Sequence, residues 1–408
     1  MAKAIDLSTR KVKFSPTHDS ARRYLTDSPT PERFASLLKE VDNGDIAAIV
    51  EMNEEMEAKD AHLQGVANTR RNALTALDWT IEPDTAATDE ADAKKAAQHV
   101  TDTLTELKTW PETLKHLASA IGPGVALTEM IWDKSSLIET VDVPGHRLVG
   151  DTFVSQNINV LTEDESVNGI PTDGFAKFIT HTPNSRAGFP FRVTITRAQA
   201  YCFIIKHFGA ADWAAWSEMF GMPWRVAKFT GESTPGEKTE VQSMLQNMGP
   251  DGWAMFSDAV DVELLKGDSG TPPYTALIEW VEKKQSILYL GQTLTTDVGP
   301  VGSFASAKVH DNVRTDLLIA DIQDEKQMLR EQVIRPIVEL KWPNKKMPLP
   351  HFVRRVFETK NLDEERLNIE KLTYMDGRNL RVDDDVVYDM LGIPQPKVFV
   401  APEEEGTA

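Results

Sequence analysis

Residues 195–220 read ITRAQAYCFIIKHFGAADWAAWSEMF. The stretch predicts a single helix of about 26 residues, roughly 39 Å long at 1.5 Å per residue. Its apolar positions, Ala198, Tyr201, Cys202, Ile205, Phe208, Trp213, Trp216 and Phe220, go almost around the cylinder. A helix that is apolar on most sides has to be packed on most sides. The expected partners are its own domain and neighbouring subunits. Tyr201, Ile205, Phe208, Trp213, Trp216 and Phe220 are therefore the candidate interface. A ligand pocket built from Trp213, Trp216 and Phe220 is the alternative, but aromatics at helical spacing are far more often core.

Toward the C-terminus, Gly221-Met222-Pro223 breaks this helix. A strand follows at Trp224 to Phe229, then a helix opened by Thr234-Pro235, with Glu237 at the capping-box position. Two more strands are expected, Trp253 to Phe256 and Val260 to Leu265. A helix from about Pro273 to Leu290 leads into the glycine-rich segment 291–302, and a long helix runs from Phe304 to about Leu340. A strand at His351 to Phe357, a helix after Asp363 and a short helix before Gly392-Ile393-Pro394 complete the pattern. The last residues, with Glu403 to Glu405, read as disordered.

Toward the N-terminus, residues 1–30 are polar with scattered Pro and Ser and read as a flexible arm. Thr30-Pro31 has the chemistry of a helix start, cap then first turn. Phe34, Leu37, Leu38 and Val41 continue that helix to Asn43-Gly44. A second helical stretch runs from Asp45 through Ile46, Ile49, Met52 and Met56 toward Leu74 and Leu77, ahead of a short strand at 78–81. Residues 88–108 predict an alanine-rich helix. Pro111 opens another, which ends at Gly122-Pro123-Gly124. Val125 to Trp132 and Leu137 to Val143 read as adjacent strands. From there to about 192 lies a β-rich insertion with short pieces such as Ile158 to Leu161 and Phe175 to Ile179.

The 408 residues are 41% hydrophobic and 26% charged, enough for two or three linked cores. No run of eighteen apolar residues is present, so no membrane span is expected. The N-terminus has no apolar signal region, and the lone Cys202 allows no intrachain disulfide, so cytoplasmic assembly is expected. A net charge of −19 argues against an ordinary phosphate-gripping module. It suits a wall along which a polyanion slides, because repulsion acts over about 10 Å in physiological salt. It equally suits plain solubility.

Catalytic motifs are missing. The chain has no GxxxxGK[ST] loop, GxGxxG, HExxH or GxSxG, and its nine histidines lack zinc spacing. Neither a cofactor nor a metal is expected, and no enzyme. Asp321, Asp324 and Glu325 share a helix face and could hold magnesium. The preferred reading is a solvated face supported by Lys326 and Arg330. Asp383 to Asp385 read as a helix cap.

Several phrases, in order, resemble the Mu-like phage portal family. Asp212-Trp213-Ala214 leads to Phe220-Gly221-Met222-Pro223 and Arg225-Val226-Ala227-Lys228-Phe229, similar to the family's DWA…(Y/F)GMPxRVxKY. Leu245 to Gly249, Trp253-Ala254, Val262 to Leu265, Leu290 to Thr296, His310 to Arg314 and Ile334 to Ile337 follow. Ala227 stands where the family usually has Gly, and the tail is more polar than usual.

The resemblance implies an α+β portal fold with helical stem, β-rich clip, α/β wing and helical crown, assembled as a ring, usually of twelve. Double-stranded DNA would pass through the ring. The terminase large subunit, neck and head-completion proteins, and the major capsid and scaffold proteins would bind it, at one vertex of a virion assembled in the host cytoplasm. No membrane partner is implied. Mapped onto this chain, 1–30 is the arm and 31–109 the first wing part. The stem is 110–225, with a clip inserted at about 130–192. The second wing part is 226–303, the crown side 304–395 and the tail 396–408. Thr295, Thr296, Asp297, Val298, Gly299 and Val301 are the candidate tunnel loop, a plain helix connector being the alternative. The rival readings are another head or neck structural protein and a metal-dependent DNA-processing enzyme.

Overall fold

The computed structural model describes residues 30–150, 157–183, 190–221, 224–229, 234–247, 260–265, 274–293, 304–356 and 369–374. Chain contacts divide the molecule into two compact units, residues 1–354 and 355–408. In the second, residues 369–374 are helical. The arm, the strand expected at Trp253 to Phe256, the candidate tunnel loop, Asp383 to Asp385 and the tail lie outside the described residues.

Helix α1 (Pro31–Asp42) starts as its sequence requires. Thr30 accepts a hydrogen bond from the Arg33 N–H, Pro31 fills the first turn, and Phe34, Leu37 and Val41 are buried. The next helix is not continuous. Asp60 adopts an extended conformation between α2 (Ile46–Lys59) and α3 (Ala61–Thr75), and its carboxylate caps the N–H groups of His62 and Leu63. The apolar period survives this break, which is why the sequence read as one helix.

Then come β1 (Trp79–Glu82), α4 (Glu90–Glu106) and α5 (Trp110–Ala118). The hairpin of β2 (Ala126–Asp133) and β3 (Ser136–Val143) joins β7 (Phe178–His181) in the order β3-β2-β7. Strands β4 (Leu148–Gly150), β5 (Ile158–Val160) and β6 (Ile170–Pro171) form a second antiparallel sheet. Strand β10 (His351–Arg354), which ends three residues before the expected Phe357, pairs with β1.

Strand β2 is buried from Ala126 to Trp132 because it separates two cores. Leu127 belongs to a core with α1, α2, α3, Leu148, Val160 and Phe203. Ala126, Met130 and Trp132 belong to another, with Val100, Trp110, Leu117, Leu329, Ile334 and Phe352. Two polar residues of β2 are satisfied in this setting. Thr128 donates to Asp142 at 3.0 Å, and Glu129 pairs with Lys177. The strands between 130 and 192, expected as an insertion, thus contribute to both cores.

Beyond them run α6 (Ile195–Gly221), β8 (Trp224–Phe229), α7 (Pro235–Asn247), β9 (Val260–Leu265), α8 (Tyr274–Leu290) and α9 (Phe304–Leu329). Strands β8 and β9 are antiparallel. The helix expected to run unbroken to Leu340 opens into a π turn at Arg330–Ile334 before α10 (Arg335–Lys341). Pro336 explains the widening: it has no N–H for the carbonyl four residues back, and its ring crowds that carbonyl. The displaced Gln332 side chain binds the backbone of β7, accepting from Thr180 N at 2.6 Å and donating to Thr180 O at 3.0 Å. Among the described residues no helix is long and apolar enough to cross a membrane.

Candidate functional site

The long helix α6 lies antiparallel to α8, as three contacts in reversed order require. Gln199 Nε2 donates to Gln285 O at 3.3 Å, Lys206 Nζ lies 2.9 Å from Glu282, and Gly209 faces Leu277. A Cβ added to Gly209 would stand 3.1 Å from Leu277 Cδ2, so the helices cross closely at a residue without a side chain. Helix α5, placed with α6 in the expected stem 110–225, packs in the other core through Trp110, Leu114 and Leu117.

The first turns of α6 are enclosed through Ala200, Cys202 and Phe203, the last stacked on Phe34 with ring centroids 6.1 Å apart, and Gly209 is buried further along. Of the candidate interface residues, Tyr201, Ile205 and Phe208 fall on one face of the helix, at i, i+4 and i+7. Tyr201 is 69% exposed, Phe208 is exposed, and Ile205 is half-buried. Trp213 and Trp216 are half-buried, and Phe220 falls in the last turn. Helix α8 adds exposed Leu277, Trp280 and Ile287, with Trp280 50% exposed and Lys284 Nζ 5.7 Å from its ring centroid. Among the described residues, packing does not surround α6 within one chain, which leaves neighbouring subunits as the other expected partners. Large apolar side chains remain in solvent on both helices of the pair.

Beneath the pair runs a buried polar network that the sequence did not announce. Asp60, besides capping α3, accepts from Lys206 Nζ at 2.8 Å and from Gln285 Nε2 at 2.7 Å. Burial pushes its carboxyl up, but the bonds from Gln285, Lys206 and the Leu63 N–H outweigh that and hold it below the usual carboxylate range. His62 Nε2 and Ser286 Oγ are 2.9 Å apart. Arg71 makes two bonds to Glu57, at 2.7 and 2.5 Å, and Asn53 joins Glu57 to Thr196 of α6. Burial alone would lower the Arg71 guanidinium; Glu57 raises it. Burial also pushes the Tyr289 phenol well up. In sequence these residues sit on amphipathic helices where charge reads as solvated surface. Asp60 alone carried a usable signal, as a cap residue three positions before Leu63.

The three carboxylates on α9 divide between buried ion pairs and solvent. Asp321 is buried against Arg70 of α3, and Glu325 against Arg354 of β10. Asp324 is exposed. Among the described residues, no group of three or more His, Cys, Asp or Glu side chains could hold a metal ion.

The segment holding the candidate loop leaves α8 at a defined point. The Gly291 N–H donates to Ile287 O at 2.9 Å, and its φ of +69° is the left-handed turn that ends helices on glycine. A side chain there would stand 2.8 Å from Val313 Cγ1 of α9. Gln292 is buried. Thr295, Thr296, Asp297, Val298, Gly299 and Val301 follow directly, outside the described residues.

This arrangement is a fold also found in chains of gene transfer agent particles. A chain in the neck of an empty gene transfer agent particle superposes with a TM-score of 0.56 over 83% of this chain and 92% of that one, at 11% identity. One in the virion of the native particle gives 0.57 over 85% and 94%, also at 11% identity. At that identity the likeness is one of fold. The chain belongs to the family of the portal protein of Mu bacteriophage, whose sequence model matches residues 50–393. It is 26% identical over 395 residues to the portal protein of Escherichia phage Mu, covering 96% of this chain and 76% of that protein. It is also 26% identical over 379 residues to the Mu-like prophage FluMu protein gp29 of Haemophilus influenzae, covering 90% and 71%. Its function is that of a phage portal protein.

Proposed function

We propose that the chain is one subunit of a twelve-membered ring at a single capsid vertex, through which double-stranded DNA is packaged and later ejected. The observation that carries this reading is the α6–α8 pair, whose exposed Tyr201, Phe208, Leu277, Trp280 and Ile287 have no partner surface within the described residues. A ring interface is heterologous, so each subunit needs two different faces to be covered by its neighbours. Tyr201, Ile205, Phe208, Trp213, Trp216 and Phe220 are assigned to that contact.

In this reading α6 and α8 are the stem. The clip, the surface offered to the terminase large subunit and to neck proteins, is then the chain that joins those helices, residues 222–273. It holds the antiparallel β8–β9 ribbon. Residues 31–109, together with the strands up to 192, form the wing. Residues 291–302, with Thr295 to Val301, are assigned to the tunnel loop, and the chain from 304 to the crown side. The outer wall meets major capsid and scaffold proteins as the particle assembles in the host cytoplasm. Net acidity keeps the channel from gripping the DNA that moves along it. No catalytic step is assigned.

Negative-stain imaging with mass measurement of the purified chain tests the reading. Rings with a central hole and a mass near twelve times 45.5 kDa are expected. Compact particles without a hole, at any concentration and in the presence of the other head proteins, would replace it with a non-channel neck component.

A further inference from the structure

Strand β7 is an edge strand, because the order β3-β2-β7 leaves its outer side without a neighbouring strand. The ladder fixes which of its backbone groups face outward. The Met130 N–H donates to Lys177 O at 2.8 Å, and Glu129 to Ala126 stand opposite Phe178 to His181. Backbone groups alternate sides along a strand, so 177, 179 and 181 bond toward β2 while 178, 180 and 182 turn away from it. Those three outward residues line a groove of about 450 Å³. Ile158 of β5 and the turn from Pro171 to Gly174 line it as well.

Among the described residues, no backbone group pairs with this outer side, but one side chain does. The Gln332 amide accepts from the Thr180 N–H at 2.6 Å and donates to Thr180 O at 3.0 Å. A glutamine amide carries the same donor and acceptor as a peptide group. The π turn at Arg330–Ile334 therefore sets one peptide-like group where the middle residue of an added strand would sit.

The lining selects the occupant. Phe175, Phe178, Ile158 and Pro336 supply apolar surface, with Phe175 exposed. Asp173 and Glu331 supply exposed carboxylates, the second shared with Arg335 one turn on, and no Lys or Arg stands among the described lining residues. A complementary segment is basic, and a chain of net charge −19 is a poor source of it.

We propose that the outer edge of β7 binds an extended segment of another protein, with basic and apolar side chains alternating, which displaces the Gln332 amide from Thr180. Main-chain bonds to 178, 180 and 182 supply the affinity, and the side chains that meet the aromatic rings and the carboxylates supply the specificity. The site is separate from residues 222–273 and depends neither on their assignment as the clip nor on the channel.

Titration calorimetry of the full chain with an acetylated, amidated heptapeptide of alternating lysine and valine tests this, with glutamate in place of lysine as the control. The lysine peptide should bind about tenfold more tightly or better. Thr180→Pro removes the outward N–H, and an edge strand tolerates proline where the N–H faces away from the sheet. That variant should melt near the parent yet lose about tenfold or more in affinity, which separates the groove from general attraction to an acidic chain. Gln332→Ala vacates the edge and should tighten binding. Parent-like affinity in Thr180→Pro, or weaker binding in Gln332→Ala, would overturn the proposal. Self-association that Thr180→Pro abolishes would hand the edge to a second copy and overturn it too. If Thr180→Pro does not fold, hydrogen exchange in Gln332→Ala reads the same site. The Thr180 amide should exchange fast in the free variant and about tenfold slower with the lysine peptide; no slowing would sink the idea.

Discussion

Arg354 and Glu325 face each other inside the second core, with Nε 2.5 Å from Oε2, Nη2 2.8 Å from Oε1 and both side chains almost fully enclosed. Arg354 Nη1 also donates to Leu77 O at 2.6 Å. Removing one partner of such a pair leaves an uncompensated buried charge. Arg354→Met should therefore lower stability by about 3–5 kcal/mol. Adding Glu325→Leu should recover much of that loss, because the stranded carboxylate is then gone. Denaturant titration of the two variants measures both steps, and a single variant as stable as the parent would refute the pairing.

His181 sets a pH dependence. Burial at the edge of the β3-β2-β7 sheet depresses its imidazole to about 4 from an ordinary value of 6.5. The folded chain thus binds fewer protons than the unfolded chain between those values. Stability is full above about pH 6.5 and is lost as pH falls toward 4, by about 3 kcal/mol over that window. Comparing denaturation midpoints of the parent and of His181→Gln at pH 7 and pH 4.5 isolates this share. Equal pH slopes for the two proteins would contradict it.

Tyr201 and Trp280 are exposed in the single chain, so charge at either place costs the fold little. Tyr201→Glu and Trp280→Glu should each unfold within about 1 kcal/mol of the parent, as exposed substitutions generally do, yet form no rings. Trp213, half-buried lower on α6, should block ring formation when replaced by Glu and lose more stability. Sedimentation combined with thermal melting separates the two effects. Normal rings in all three variants would take the interface away from this face.

Gly291→Ala combines two penalties. The left-handed backbone costs a residue with a Cβ about 1–2 kcal/mol, and that Cβ would meet Val313 Cγ1 at 2.8 Å. Val313→Ala in the same chain should relieve the collision but not the backbone cost. Melting curves of the single and double variants should therefore differ, with the double still below Val313→Ala alone.

How much of this was legible can be judged helix by helix. The start of α1 at Thr30-Pro31, the strands β2 and β3, the length of α6 and the stop at Gly291 were all readable, because caps, alternation and breakers act within a few residues of themselves. The break at Asp60 was hidden by an apolar period that runs through it, and the π turn by a helix that resumes directly after it. The candidate interface was legible as apolar excess on α6, but not which of its residues one chain would cover. Phe203 is buried and Tyr201, two positions earlier, stands in solvent.

The sequence by itself determined the course of α1, α6 and α8, the absence of the familiar catalytic motifs, and, through several phrases in fixed order, the resemblance to the portal family. Only the tertiary structure decided that α6 lies along α8 rather than α5. It also decided that Asp321 answers to an arginine 251 residues away instead of to solvent or a metal. The physical reason is that local propensity is set by neighbours along the chain, whereas burial and charge pairing are set by neighbours in space. A carboxylate on a helix looks the same in sequence whether water or Arg70 lies opposite it.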